Sequence, residues 1–204
     1  MLNKLREEVY QANIELVQKG LVIVTWGNAS GYDPDSGYII IKPSGLSAGR
    51  MTPGNMVIID MNGKIIEGDL KPSSDAKTHI ELYRKFNGIK GVVHTHSRYA
   101  TAWVQAGRDI PVPWVQLMPT IFMAIFPAQG LTEVEVKDGY ELNTGLVICE
   151  RFKNIDYKSI PAVLVKEHGP FCWGESPSDA VENAVVLGGG SKNGFNNRIT
   201  WGYG

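Results

Sequence analysis

Cysteine is scarce in this chain: Cys149 and Cys172 are its only two among 204 residues. Two thiols make no disulfide framework, and their spacing is not that of a metal knuckle. Charge of one sign is missing as well, since 20 Lys and Arg stand against 21 Asp and Glu, a net charge of −1. A protein that tracks a phosphate backbone needs a basic surface, so nucleic-acid binding driven by bulk charge is excluded. No apolar run suits a membrane span. The longest uncharged stretch, 110–132, carries Pro111, Pro113, Pro119 and Pro127, which break a spanning helix. Residues 1–6 lack the apolar core of a signal peptide. Histidine is rare too, limited to His79, His94, His96 and His168.

What is there suits a globular protein. Apolar residues make up 43% and charged ones 20%, enough to build a core in one domain of ordinary size. The expectation is a single-domain, cytoplasmic protein with no nucleic-acid or membrane partner. Leu2, Leu5, Val9, Ala12 and Leu16 form one helical stripe that stops at Lys19-Gly20. Residues 21–26 read as a buried strand, closed by a turn at Gly27-Asn28-Ala29-Ser30-Gly31. Further strands are expected at 38–42, 57–61 and 64–67, the last two joined by the Asn62-Gly63 hairpin turn. A helix follows Ser73-Ser74-Asp75, then a strand at 92–96, a helix at 98–105 and a strand at 162–168. Ser176 caps and Pro177 opens a helix running through Val186. The pattern predicts a mixed or antiparallel sheet flanked by helices. Gly188-Gly189-Gly190 then reads as the start of a flexible end, because a glycine run costs roughly 1 kcal/mol per position in a helix.

His94-Thr95-His96 places two imidazoles at i and i+2, hence on one face of a strand and within reach of one ion. His168, before Gly169-Pro170, offers a third. Three imidazoles with one open position are the pattern of a catalytic divalent ion. Spacing alone leaves open a surface pair or a hydrogen-bonded core pair, and His79, in mid-helix, reads as structural. A second set is rich in small polar groups: Gly27-Asn28, Lys42-Pro43-Ser44-Gly45 and Ser73-Ser74-Asp75. Each falls at a strand end or helix start, where backbone N–H groups and hydroxyls can converge on an anion. Each alone is an ordinary turn. Together, beside the histidines, they suggest a phosphorylated small substrate at a metal. No dinucleotide-binding glycine pattern is present.

These motifs carry a family resemblance. Thr25-Trp26-Gly27-Asn28-Ala29-Ser30, Ile41-Lys42-Pro43-Ser44-Gly45, Glu67-Gly68-Asp69-Leu70-Lys71-Pro72-Ser73-Ser74-Asp75, Gly91-Val92-Val93-His94-Thr95-His96-Ser97 and Glu167-His168-Gly169-Pro170-Phe171 stand in family order. They resemble the L-ribulose-5-phosphate 4-epimerases of the class II aldolase/epimerase (fuculose-phosphate aldolase-like) superfamily. The resemblance covers 1–187 as one domain and leaves 188–204 as a glycine-rich tail. It implies a three-layer α/β/α fold with a mainly antiparallel central sheet, and a homotetramer with active sites between subunits. It also implies Zn2+ held by His94, His96 and His168, with Asp75 at the metal and catalytic. Gly27, Asn28, Ser44, Gly45, Ser73 and Ser74 match substrate- and phosphate-binding positions, with Lys42 beside them. The implied reaction interconverts L-ribulose 5-phosphate and D-xylulose 5-phosphate by cleaving and re-forming C3–C4, as in arabinose catabolism. A class II sugar-phosphate aldolase and a catalytically impaired metal- and sugar-phosphate-binding homologue are the alternatives. The chain departs from the pattern where the family has a histidine and a catalytic aspartate: Leu117 and Pro119 stand there. Tyr203 is the stand-in for the family's C-terminal tyrosine.

Overall fold

The computed structural model describes residues 2–108, 110, 127–128, 131–166 and 168–200. Helix α1 (Leu2–Gln18) leads into β1 (Gly27–Asp33), β2 (Tyr38–Ile41), β3 (Val57–Ile59) and β4 (Ile65–Glu67). Helix α2 (Ala76–Lys85), β5 (Gly91–Thr95), α3 (Arg98–Gln105) and β6 (Pro127–Ala128) follow. The chain continues as α4 (Glu133–Arg151), β7 (Ala162–Val165), β8 (Pro170–Gly174) and α5 (Pro177–Thr200). The strands make one sheet in the order β4-β3-β2-β1-β5-β8-β7-β6, antiparallel except for β6 beside β7.

Helices cover both faces of the sheet's middle, which is why β2, β3 and β7 read as near-continuous apolar runs. Alternation sorts their side chains. Val93, Leu164 and Cys172 face α1, α3 and α5, while Val92, Val163, Phe171 and Trp173 face α2 and α4. This is the expected three-layer α/β/α domain.

Three expectations need correction. Residues 21–26 are not a strand. Ile23 to Trp26 form a tight turn, closed by Trp26 N–H donating to Ile23 O at 2.9 Å, with Val24 at φ 57° and 78% exposed. The strand is Gly27–Asp33, which contains the segment read as a turn, Gly27 to Gly31, and it lies at the centre of the sheet. Small residues belong there because α1 crosses it closely: a Cβ on Gly31 would lie 2.7 Å from Leu5 Cδ1 and 2.9 Å from Val9 Cγ2. Buried Asn13 of α1 fixes the crossing. Its Oδ1 accepts from Ala29 N–H at 2.9 Å and its Nδ2 donates to Ala29 O at 3.1 Å. Packing here overrides strand propensity.

Second, β7 ends at Val165, short of His168. A turn closed by Val165 N–H to Gly169 O, 3.0 Å, puts His168 at the tip between β7 and β8. Third, α5 does not stop at the glycine run. It continues to Thr200, anchored by buried Ser191, whose carbonyl accepts from Trp103 Nε1 at 3.0 Å and whose hydroxyl donates to Leu187 O at 2.6 Å. Helix α4 had no sequence-based counterpart. Its start is a capping box, Thr132 with Glu135.

Candidate metal and sugar-phosphate site

Where the central strand β5 ends, one cavity of 340 Å³ brings the separate motifs together. His94 on β5 and His96 just beyond it enter from one side, and His168 from the β7–β8 tip. Gly27 and Asn28 come from the start of β1, paired in register with Thr95 and His94. The loop after β2 brings Lys42, Ser44 and Gly45, and the approach to α2 brings Ser73, Ser74 and Asp75. These two loops are joined: Ser44 N–H donates to Lys71 O at 2.8 Å and Ser73 N–H to Lys42 O at 3.0 Å. Two of the amides expected to meet an anion are therefore already used. The described residues thus place every sequence-predicted site residue in one cavity except Tyr203, which lies outside them, as do Leu117 and Pro119.

The histidines fit a divalent ion. The three offer ligand atoms that all lie within 4.8 Å of one another. His94 Nδ1 lies 3.0 Å from Pro170 O, an atom that can only accept. Nδ1 therefore carries the hydrogen, and Nε2 keeps its lone pair; this carbonyl contact orients the ring as outer partners of metal ligands do. Nε2 lies 3.0 Å from His96 Nε2. Two nitrogens on one tetrahedral ion stand about 3.3 Å apart. Among the described residues, the buried His168 Nδ1 has no hydrogen-bond partner, as suits a ring nitrogen offered to an ion. Burial disfavours the charged form of all three imidazoles. It pushes His94 down to about 3, helped by the neighbouring His96, and His168 down to about 3, helped by His94. His96, less enclosed, is lowered as well.

Asp75 stands outside that group of three. It occupies the N-cap position of α2, yet its side chain makes no cap bond; the carboxylate accepts instead from Asn28 Nδ2 at 2.6 Å. Asn28 Oδ1 is buried and has no hydrogen-bond partner among the described residues. Lys42 is buried, with its Nζ 3.4 Å from the carbonyls of Thr25 and Pro43. Burial lowers its pKa even though Asp75 opposes the shift. A desolvated ammonium, hydroxyls and a helix start together can hold a small dianion. His79 is fully buried behind the site, its Nδ1 2.7 Å from Ser30 Oγ, in the structural role expected.

Sequence reasoning missed Tyr140 and Glu141, both lining the cavity from α4. The Tyr140 ring lies 5.1 Å from that of His168. A signal existed in the capping box at Thr132 and the glycine at 139, which mark a helix and its interruption.

Residues 7–189 match the family model described as the class II aldolase and adducin N-terminal domain. Among solved structures, an L-fuculose 1-phosphate aldolase shares 21% identity at a TM-score of 0.81, covering 98% of this chain and 88% of that one. The L-fuculose-1-phosphate aldolase of Thermus thermophilus shares 22% at 0.73, covering all of both chains. A sugar-phosphate aldolase of Thermotoga maritima shares 18% at 0.77, covering 100% of this chain and 98% of that one. At these identities the structures speak for the fold.

Proposed function

Because the chain belongs to the class II aldolase and adducin N-terminal domain family, we propose that it is a zinc-dependent 4-epimerase of a pentulose 5-phosphate. The reaction is the interconversion of L-ribulose 5-phosphate and D-xylulose 5-phosphate by reversible cleavage of C3–C4. The observation that carries this reading is one cavity holding three converging imidazoles, a carboxylate oriented by an amide, and two joined loops of small polar groups beside a buried lysine. Asp75, rather than the longer glutamate of the family's aldolases, supports epimerase over aldolase. The aldolase reading draws support from the fold shared with the fuculose-phosphate aldolases.

His94, His96 and His168 would hold the ion, which when bound supplies Lewis acidity to the sugar's oxygens. Lys42 and the hydroxyls of Ser44, Ser73 and Ser74, with Gly45, bind the phosphate; Gly27 gives the sugar close approach to the backbone. Asn28 keeps the Asp75 carboxylate pointed at the reacting end, where it takes the proton of the C4 hydroxyl as the C3–C4 bond opens. Tyr203 is the remaining acid/base candidate of this reading. The functional unit we assign is a cytoplasmic homotetramer with active sites at subunit interfaces. The exposed apolar turn at the rim, with Val24 78% and Trp26 63% accessible, is consistent with a neighbouring copy there.

The test is turnover of L-ribulose 5-phosphate by zinc-loaded protein. Formation of D-xylulose 5-phosphate is the expected result. Accumulation of dihydroxyacetone and glycolaldehyde phosphate without inversion favours the aldolase, and no change in the ketose rules out both.

A further inference from the structure

Asp75, His79 and Tyr83 follow one another at four-residue steps along α2 and its start, and all three reach small polar residues of β1. Asn28 Nδ2 donates to the Asp75 carboxylate at 2.6 Å. His79 Nδ1 lies 2.7 Å from Ser30 Oγ, which also lies 2.8 Å from Tyr83 OH. Two residues along a strand cover about 6.7 Å and four along a helix about 6 Å. Asn28–Asp75 and Ser30–His79 therefore stack as successive rungs between β1 and α2. The first rung reaches the cavity and is the less supported. Asp75 commits its carboxylate to Asn28 and gives the helix start no side-chain cap. The second rung lies behind the cavity, on a fully buried ring.

That ring also touches the histidine side. It meets Phe171 edge-on, 6.2 Å between centroids at 78°, and Phe171 stacks on His94 at 4.2 Å. Asn28, His94 and Phe171 form one row across β1, β5 and β8. His79 thus sits where the start of α2 meets that row. Its Nδ1 is the engaged nitrogen, because Nε2 has no hydrogen-bond partner among the described residues.

We propose that His79 is a positioning residue, whose Nδ1 bond to Ser30 fixes the start of α2 over the sheet and so sets the Asp75 carboxylate against Asn28 and His94. Its effect on rate rests on the retro-aldol reading above; its effect on geometry does not. The bond matters through distance: a group displaced by about 1 Å can lose 10²-fold in rate, even when the change lies away from the chemistry.

The experiment compares zinc-loaded full-length protein with its His79→Asn, His79→Gln and His79→Leu variants. An asparagine amide ends about where Nδ1 stands and can still pair with Ser30. A glutamine amide ends about where Nε2 stands, and leucine fills space without pairing. Ser30 keeps Tyr83 as a partner in every variant, so no hydroxyl is stranded. The Leu and Gln variants are expected to lose about 10²-fold in kcat for C4 inversion. KM stays within a few-fold and zinc content holds, because the anion loops and the His94–Pro170 bond are untouched. The Asn variant keeps kcat within a few-fold of the parent, although the hole it leaves lowers its Tm most. A crystal structure of the Leu variant is expected to show Asp75 drawn out of hydrogen-bond range of Asn28. Rate losses that follow the order of the Tm losses, or a Leu variant with the parent kcat, overturn the role of His79 and leave the retro-aldol reading standing. A parent that neither inverts nor cleaves the ketose overturns that reading. Asn28 and Asp75 still at 2.6 Å in the Leu variant overturn the positioning role whatever the activity.

Discussion

The β5 wall and the α4 wall of the cavity hold their polar groups by opposite means. On the β5 side, His94 projects from a regular strand, stacks on Phe171 at 4.2 Å between ring centroids, and is fixed by a single ring-to-carbonyl bond. Regular secondary structure supplies the direction, and burial disfavours the charged ring. On the α4 side, Tyr140 and Glu141 are half-buried on a helix that is broken just before them, and direction comes from side chains that tie down the backbone around the break. The comparison teaches that strand periodicity can aim one side chain such as His94 unaided, whereas groups at a turn tip or beside a helix break, such as His168 and Glu141, depend on hydrogen bonds that hold the local backbone.

Breaking each wall separately should give different losses. His96→Ala removes one of three ligands and should cost more than about 100-fold in zinc affinity, beyond the 10–100-fold usual for outer partners. Metal content after dialysis checks this, and full retention would refute the assignment. Gly139→Ala attacks the other wall. A non-glycine residue at that φ should cost about 1–3 kcal/mol in urea unfolding. It should also slow inversion while zinc content stays at the parent level. Loss of zinc in this variant would mean that the two walls are not independent.

A smaller effect sharpens what burial does on the sheet side. Burial pushes His79 down to about 3, with Asp75 opposing and His94 assisting. The unfolded chain takes up this proton near ~6.5 while the fold resists until about 3, so stability falls as pH drops through that window. The slope contributed is about 1.4 kcal/mol per pH unit. Unfolding curves of metal-free protein between pH 4 and 6.5 should therefore flatten by about that amount in His79→Gln; an unchanged slope would show that His79 is charged in the fold.

The same contrast explains what can be read in advance. His94 and His96 are legible because a two-residue step on a strand needs no tertiary information. The anion loops are legible as chemistry but not as one site, since their union rests on amide bonds between Ser44 and Lys71 and between Ser73 and Lys42. The central strand is hidden because Gly27, Asn28, Ser30 and Gly31 have turn composition; closeness to α1 and the grip of Asn13 on Ala29 make them strand. Conversely, Ile23 and Val24 look like core and lie in an exposed turn. Helix α4 escapes a sequence reading because Gly139 divides its pattern, and Glu141 escapes with it.

The register that places Asn28 against His94, and His94 against Phe171, has a kinetic consequence. These three strands come from widely separated parts of the chain, so their contacts close large loops and form after local helices and hairpins. The histidine set cannot assemble until β1, β5 and the β7–β8 tip have all docked. An ion held by these three histidines would therefore be captured late in refolding, and the time course of its uptake would report completion of the sheet rather than initial collapse.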